Sequence, residues 1–389
     1  MSGPRRWPLH PGPIDGEALS SWLHRVAGCY GIEIEYLGDD IGYKLGTGNR
    51  DVIDLAPPTG MIDILVERTG VTSDRLREMS VAGWVPWLLD DMAPGPDGFA
   101  TYVRQLSVLR PVGKQKTRLV PSWRPWLSHH LQPRACPECV AASPSPQPYQ
   151  LLWSVPIVSS CPTHGCCLEA TTAARGHFGI WDIDRPAPRP APEHILTLDR
   201  RTQDAFAVGH VDLPRRQVHA GIWFRLVRTI IDELSCPLSE NRPSDAGNIR
   251  KIWEETGYRA RDGQALWHPY ELQSDMLQRH TMEAAATAIT LLENGSITGP
   301  GTEAHLFQAP PHIAVSDGAP PKTRSLGFGD GLSLNDAFNA AVDEARINPA
   351  AARTLFNLAT YKQNDADRIH DVVNTFVELN IPLDFHHAN

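Results

Sequence analysis

The chain of 389 residues is 41% hydrophobic and 21% charged, and it carries a net charge of −9. That length predicts two or three domains, and the acidic balance excludes a protein coated in positive charge, so any nucleic-acid contact must be a local patch. No apolar run is long enough to span a bilayer, and residues 1–13 lack the apolar stretch of a secretory signal. A cytoplasmic protein is expected, with reduced thiols free to hold metal.

Residues 14–28 predict a helix. Leu19, Trp22, Leu23 and Val26 recur on one face, Asp15 can cap the start, and Gly28 and Gly31 mark the end. Residues 38–58, rich in glycine, aspartate and proline, read as a loop. From Met61 the pattern becomes two short helices around Gly70, with Ile62, Leu65 and Val66 on the first and Leu76 and Met79 on the second. A glycine between short amphipathic helices marks a helix-turn-helix. On the second helix Arg75 and Arg77 are offset by Asp74 and Glu78. A base-reading helix is more basic than this, so a structural or protein-binding use is favoured.

Between residues 102 and 134 the charge balance reverses. Arg104, Arg110, Lys114, Lys116, Arg118, Arg124 and Arg134 occur with no acidic residue among them, interleaved with Trp123 and Trp126. Basic residues mixed with aromatics suit a phosphate backbone. The competing reading is a solvated loop whose tryptophans pack on the neighbouring module. Arg110, Lys114, Lys116, Arg118, Arg124 and Arg134 are the candidate nucleic-acid contacts.

The basic segment runs into the most specific motif of the chain. Cys136-Pro137-Glu138-Cys139 is followed, after a loop, by Cys161-Pro162-Thr163-His164. Each short turn presents two soft or borderline donors, and zinc favours a tetrahedral shell of thiolates and imidazoles. The intervening loop is longer than the usual finger spacings, which points to a variant ribbon or knuckle. Ordinary buried cysteines or a disulfide are the alternative. The chain has only seven cysteines, and most sit in or beside this motif. Cys136, Cys139, Cys161 and His164 are therefore the expected ligands of one structural zinc per chain, with adjacent Cys166 and Cys167 as rivals for the fourth place. A shell closed by four protein donors leaves no position for a reacting water.

Residues 184–193 alternate proline with other residues, a stiff linker and the expected domain boundary. Beyond it, helices are predicted over 219–234, 246–257, 270–293, 334–346 and 365–379, with a loop-rich stretch over 296–333. The expected fold is mainly α. It comprises an N-terminal helix-turn-helix region (1–125), a zinc ribbon or knuckle (126–183), a proline-rich linker (184–194) and a mostly helical C-terminal domain (195–389). Gly-rich phosphate loops, dinucleotide fingerprints and nucleophile elbows are absent from the sequence. The pairs His129-His130, His386-His387, Asp39-Asp40 and Asp90-Asp91 are neighbours that read as solvated side chains. No catalytic residue is assigned.

Three motifs in order resemble the TniQ family of transposition proteins. The opening Pro11-Gly12-Pro13-Ile14-Asp15-Gly16-Glu17-Ala18-Leu19-Ser20-Ser21-Trp22-Leu23-His24-Arg25 is similar to its N-terminal signature. Thr69-Gly70-Val71-Thr72 through Leu76, Met79 and Ser80 is similar to its helix-turn-helix. Arg134-Ala135-Cys136-Pro137-Glu138-Cys139, Tyr149 to Trp153, and Cys161-Pro162-Thr163-His164-Gly165 with Leu168 is similar to its zinc module. The second CxxC-type motif of some relatives is missing. The resemblance covers roughly the first 170 residues. It implies a non-catalytic target-selection subunit that bridges a target-recognition element, either DNA or a guide-RNA effector complex, to an AAA+ ATPase that recruits the transposase. A zinc-containing DNA-binding transcriptional regulator of a mobile element is the alternative, and a metal-dependent nuclease a third reading.

Overall fold

The computed structural model describes residues 6–46, 50–113, 120–128, 131–143, 146–171, 185–263, 268–309, 334–360, 366–379 and 381–383. The chain forms two compact units, 1–312 and 313–389. Among the described residues helices dominate both, and the strands pair as three two-stranded ribbons, so the fold is mainly α. No helix among the described residues is long and apolar enough to cross a membrane.

The first unit begins with a head of five helices: α1 (Leu19–Tyr30), α2 (Ile34–Ile41), α3 (Arg50–Leu55), α4 (Met61–Thr69) and α5 (Ser73–Glu78). They enclose their own core, in which Leu19, Trp22, Leu23, Val26, Leu37, Leu65, Leu76 and Met79 are buried. The helical face read from the sequence is thus the packed face. The helix starts later than expected, however, because residues 14–17 form a turn in which Glu17 N–H donates to Ile14 O. Gly16 sits there at φ +73°, where a Cβ would meet the Gln150 side chain at 2.4 Å. The expected loop at 38–58 holds the end of α2 and all of α3. Asp54 on α3 accepts hydrogen bonds from Ser20 N (2.8 Å) and Ser20 Oγ (2.6 Å), a polar tie that hydrophobic periodicity does not reveal. Gly70, at φ +77°, separates α4 from α5, and the Thr72 side chain caps α5 by accepting from Arg75 N.

A second, larger core gathers the rest of the unit. Val81, Phe99, Tyr102, Trp123 and Trp126 pack together with Trp223, Phe224, Ile230, Trp253 and Phe307. Its helices are α6 (Gly98–Val103), α7 (Pro137–Ala142), α8 (Glu193–Val208), α9 (Ala220–Leu234), α10 (Pro243–Thr256) and α11 (Asp275–Glu293). The boundary expected at 184–194 is not one. Residues from 185 onward lie against the cysteine-rich module as extended chain: Cys167 N donates to Arg189 O, Ala191 N donates to Gly165 O, and Arg189 forks onto Glu169 at 2.6 and 3.0 Å. Proline fixes φ without occupying the chain's acceptors, so the same stiffness that suggested a linker suits a docked strand-like segment. The division expected at residue 125 fails for a similar reason. Trp123 Nε1 (2.8 Å) and Trp126 N (3.1 Å) donate to Glu271, which also holds the buried Arg228 guanidinium at 2.7 and 3.1 Å.

The second unit contains α12 (Leu334–Ile347), α13 (Pro349–Ala359) and α14 (Ala366–Glu378) around a small core that includes Val342, Ala345, Ala352, Phe356 and Phe376. Residues 310–333, most of the stretch read as loop-rich, lie outside the described residues.

Glu233 on α9 is fully buried and accepts from Val108 N (3.2 Å) and Leu109 N (2.6 Å). Burial outweighs these bonds and raises its pKa from the usual carboxylate range to about 8. The folded state therefore holds a proton that the unfolded chain releases near pH 4.5. Stability from this group is full below that pH and is lost as pH rises toward about 8. Glu233→Gln, which cannot ionise, should remove this dependence. Urea midpoints of the two proteins should diverge between weakly acidic and weakly alkaline buffer, with the parent losing more stability on the alkaline side. Parallel curves would show that Glu233 does not titrate in this window.

Candidate metal centre

The centre is assembled from a helix start and a hairpin. Strand β1 (Arg134–Ala135) leads into α7, with Cys136 at the N-cap and Pro137 in the first turn, where its missing N–H costs nothing. The Cys136 sulfur takes the place of a capping oxygen and accepts from Cys139 N at 3.4 Å. One turn of helix thus orients both cysteines. Strands β2 (Ser160–Cys161) and β3 (Cys166–Cys167) pair antiparallel, Cys161 opposite Cys166. Their connection is tightened by His164 N and Gly165 N, which both donate to Cys161 O, and Gly165 supplies the left-handed residue at φ +65°. A further strand, β4 (Glu169–Ala170), returns to pair with β1 and closes the module.

These elements bring Cys136, Cys139, Cys161 and His164 together, with their donor atoms all within 4.8 Å of one another. His164 Nδ1 lies 3.2 Å from Cys139 Sγ, 3.5 Å from Cys161 Sγ and 3.6 Å from Cys136 Sγ. Cys139 and Cys161 sulfurs are 3.7 Å apart. A tetrahedral ion with metal–sulfur bonds of about 2.3 Å and metal–nitrogen bonds of about 2.0–2.1 Å sets edges of about 3.8 Å between sulfurs and about 3.6 Å between sulfur and nitrogen. The donors fit such an ion. Without a cation the group is electrostatically frustrated. Hydrogen bonds from Cys139 and Cys161 push the Cys136 thiol down to about 2, while bonding to Cys136 and then Cys161 drives the Cys139 thiol far up. A bound divalent ion removes this conflict, because it deprotonates coordinating thiols together.

The rivals for the fourth place lie elsewhere. The Cys166 sulfur is 3.5 Å from Cys136 Sγ but is not among the four converging donors, and burial raises its thiol to about 12. Cys167 faces away, its thiol 3.8 Å from Pro190 O. Adjacent strand residues point to opposite faces, so the pair cannot serve one site together.

Two carboxylates that sequence reasoning left without a role position this module. Asp199 on α8 is fully buried and accepts from Ser159 N (3.0 Å), Ser160 N (2.7 Å) and Ser160 Oγ (2.6 Å), which holds the ligand hairpin to the helical part. Its pKa is raised to about 7, chiefly by burial. Nothing in the local sequence around Asp199 marks it. Glu17, quoted only as part of a motif, is buried and accepts from Ile14 N (3.0 Å), Ser21 Oγ (3.1 Å) and Arg25 Nη1 (2.6 Å). Ser21 Oγ in turn accepts from Tyr149 N, Ala18 N donates to Tyr149 O, and Leu151 N donates to Gly16 O. Gly16, Glu17 and Ser21 of the opening motif therefore join the helical head to the cysteine-rich module, while Ser20 ties α1 to α3 within the head.

The candidate nucleic-acid residues separate. Arg134 is buried, and its guanidinium donates to Trp153 O (3.2 Å) and Val155 O (2.8 Å). Arg110 is 1% exposed, among Asp232, Glu233 and Cys236. Both are corrected from surface contacts to internal braces, since a side chain withdrawn from solvent cannot reach a phosphate. Trp123 and Trp126 are buried, with Trp123 against Tyr102 and Trp126 against Tyr270. Arg124 is half-buried, and burial lowers its pKa. Lys114, Lys116 and Arg118 lie outside the described residues, as do His129 and His130.

Residues 8–168 match the TniQ family model. The matched segment takes in the helical head and all four converging donors, and it ends directly after β3; residues 169–389 lie outside it. Comparison with curated proteins and with solved structures gave no match.

Replacing a ligand should unfold the module, since metal binding contributes on the order of 10 kcal/mol in small structural sites. Cys136→Ser and His164→Ala should each lose bound metal, and Cys166→Ala should keep it, as read by metal analysis of the purified proteins. Retention of metal by His164→Ala with loss by Cys166→Ala would move the fourth ligand to the hairpin's other strand.

Proposed function

We propose that this chain is a non-catalytic TniQ-like accessory protein of DNA transposition. In this reading it selects the target by bridging a target-recognition element to an AAA+ transposition regulator, which in turn recruits the transposase. The observation that carries the reading is the family match over 8–168, which encloses the head and the four donors as connected parts of one compact unit. Zinc is the proposed ion, held by Cys136, Cys139, Cys161 and His164 as a structural staple. Four protein donors fill a tetrahedral shell, and three thiolates with one imidazole are a borderline-soft set that suits zinc.

The two-helix turn α4–α5 is read as a protein-binding or structural element. Its arginines are engaged: Arg75 pairs with Asp15 at 2.6 Å and Glu78 at 3.6 Å, and Arg77 pairs with Asp74 at 3.7 Å. Contact with DNA is proposed for Lys114, Lys116, Arg118 and Arg124, the candidates that remain once the buried Arg110 and Arg134 are set aside. The protein as a whole is acidic, so this contact is local and the partners supply the remainder of the grip on the target.

Reconstitution with a transposase and an AAA+ ATPase encoded beside this chain tests the proposal. Addition of the protein should direct insertions to a defined target, and the ATPase should be retained on the immobilised chain. Insertions with the same distribution in its presence and absence, and no retained ATPase, would refute the accessory role. Replacing Lys114, Lys116, Arg118 and Arg124 by glutamate should weaken DNA binding on all sequences alike. Each lost phosphate contact should lower the slope of log affinity against log salt by about 0.9, with metal content unchanged. An unaltered slope would place the DNA contact elsewhere.

A further inference from the structure

A cleft of about 270 Å³ opens between the loop at 90–98 and the Trp123–Pro125 turn. Its apolar walls are Pro94, Pro96 and Pro125, its base is formed by Tyr102 and Trp123, and Asp90, Asp91 and Asp97 stand at its rim. Three features define what fits. The volume is below the range of about 300–1,000 Å³ typical of small-molecule sites and suits a single side chain. The rim is anionic, which repels phosphate and so disfavours a nucleotide. The three carboxylates are not gathered within 4.8 Å of one another as the cysteine and histidine donors are, so they do not form a compact cage for a metal ion.

The molecule already shows how this site treats a guanidinium. Arg225 of α9, beside the cleft, pairs with Asp90, lies 4.4 Å from the centre of the Tyr102 ring and donates to Thr101 O at 3.3 Å, all three being lining residues. It neutralises one carboxylate of the lining and leaves Asp91 and Asp97, both exposed, without an ion pair among the described residues. The Asp91 side chain accepts from a neutral backbone donor, Ala93 N at 3.0 Å, and Asp97 makes no side-chain capping bond to the helix it precedes. We infer that this cleft is a docking site for an arginine side chain of a partner protein. The aliphatic stem lies along the proline rings, and the planar fork spans Asp91 and Asp97, a task for which a compact ammonium is less suited. Charge complementarity identifies the partner chemistry as a basic protein surface. The inference stands on the cleft alone and does not depend on the transposition reading.

The test uses the full chain labelled with 5-fluorotryptophan and fluorine NMR, with the Trp123 signal assigned from Trp123→Phe. The probes are the Nα-acetyl methylamides of arginine, lysine and norleucine. The arginine probe should shift the Trp123 signal at millimolar concentration, the lysine probe should act more weakly, and norleucine should have no effect. The Asp91→Asn/Asp97→Asn double variant should bind arginine about fivefold more weakly, with the other tryptophan signals unmoved as evidence of an intact fold. A Trp123 signal that ignores arginine, that responds equally to norleucine, or that responds equally in the double variant would overturn the assignment.

Discussion

Three thiol sulfurs and one imidazole nitrogen lie within 4.8 Å of one another in the middle of this protein, a spacing that suits a shared cation. The module between β1 and β4 contains strands of two residues each and a helix of six. Ladders that short cannot offset the conformational entropy of the loops they join. The proposed metal would draw α7 and the β2–β3 hairpin onto one point, adding to the cohesion of the module's buried apolar side chains Tyr149, Leu151, Trp153, Val155 and Ile157.

The module is then tied into its surroundings by buried polar groups. Glu17 and Ser21 join it to the helical head, Asp199 joins its hairpin to α8, and Glu271 with Arg228 joins the tryptophan turn to the helices behind it. Buried charge is a weak source of net stability, but removing one partner costs about 3–5 kcal/mol because the other is left uncompensated. Such ties therefore fix which segments meet more than they hold the fold together. This is why the first unit extends across the proline-rich segment without a break, and why its interior includes arginines that the sequence presents as part of a basic run.

The features legible in the sequence were those with a short-range signature. The ligand turns were visible because both knuckles carry their donors within four residues, and α1 and α9 because their apolar faces repeat at helical spacing. The helix α3 was hidden, since its six residues make less than two turns and its anchor, Asp54, pairs with Ser20 far along the chain. The burial of Arg110 and Arg134 was equally hidden, since the carbonyls and carboxylates that receive them come from distant segments. The proline segment misled because stiffness alone does not tell a free spacer from a docked edge. The preference for His164 over Cys166 required the folded positions of the donor atoms, since Cys166 lies opposite Cys161 across the hairpin yet only His164 joins the converging set.

Zinc held by three sulfurs and one nitrogen is the proposed organising element of this protein. X-ray absorption at the zinc edge of the purified full-length protein tests this most directly. The account predicts three sulfur neighbours at about 2.3 Å and one nitrogen at about 2.0–2.1 Å. Four sulfur neighbours, or a shell dominated by oxygen, would contradict it.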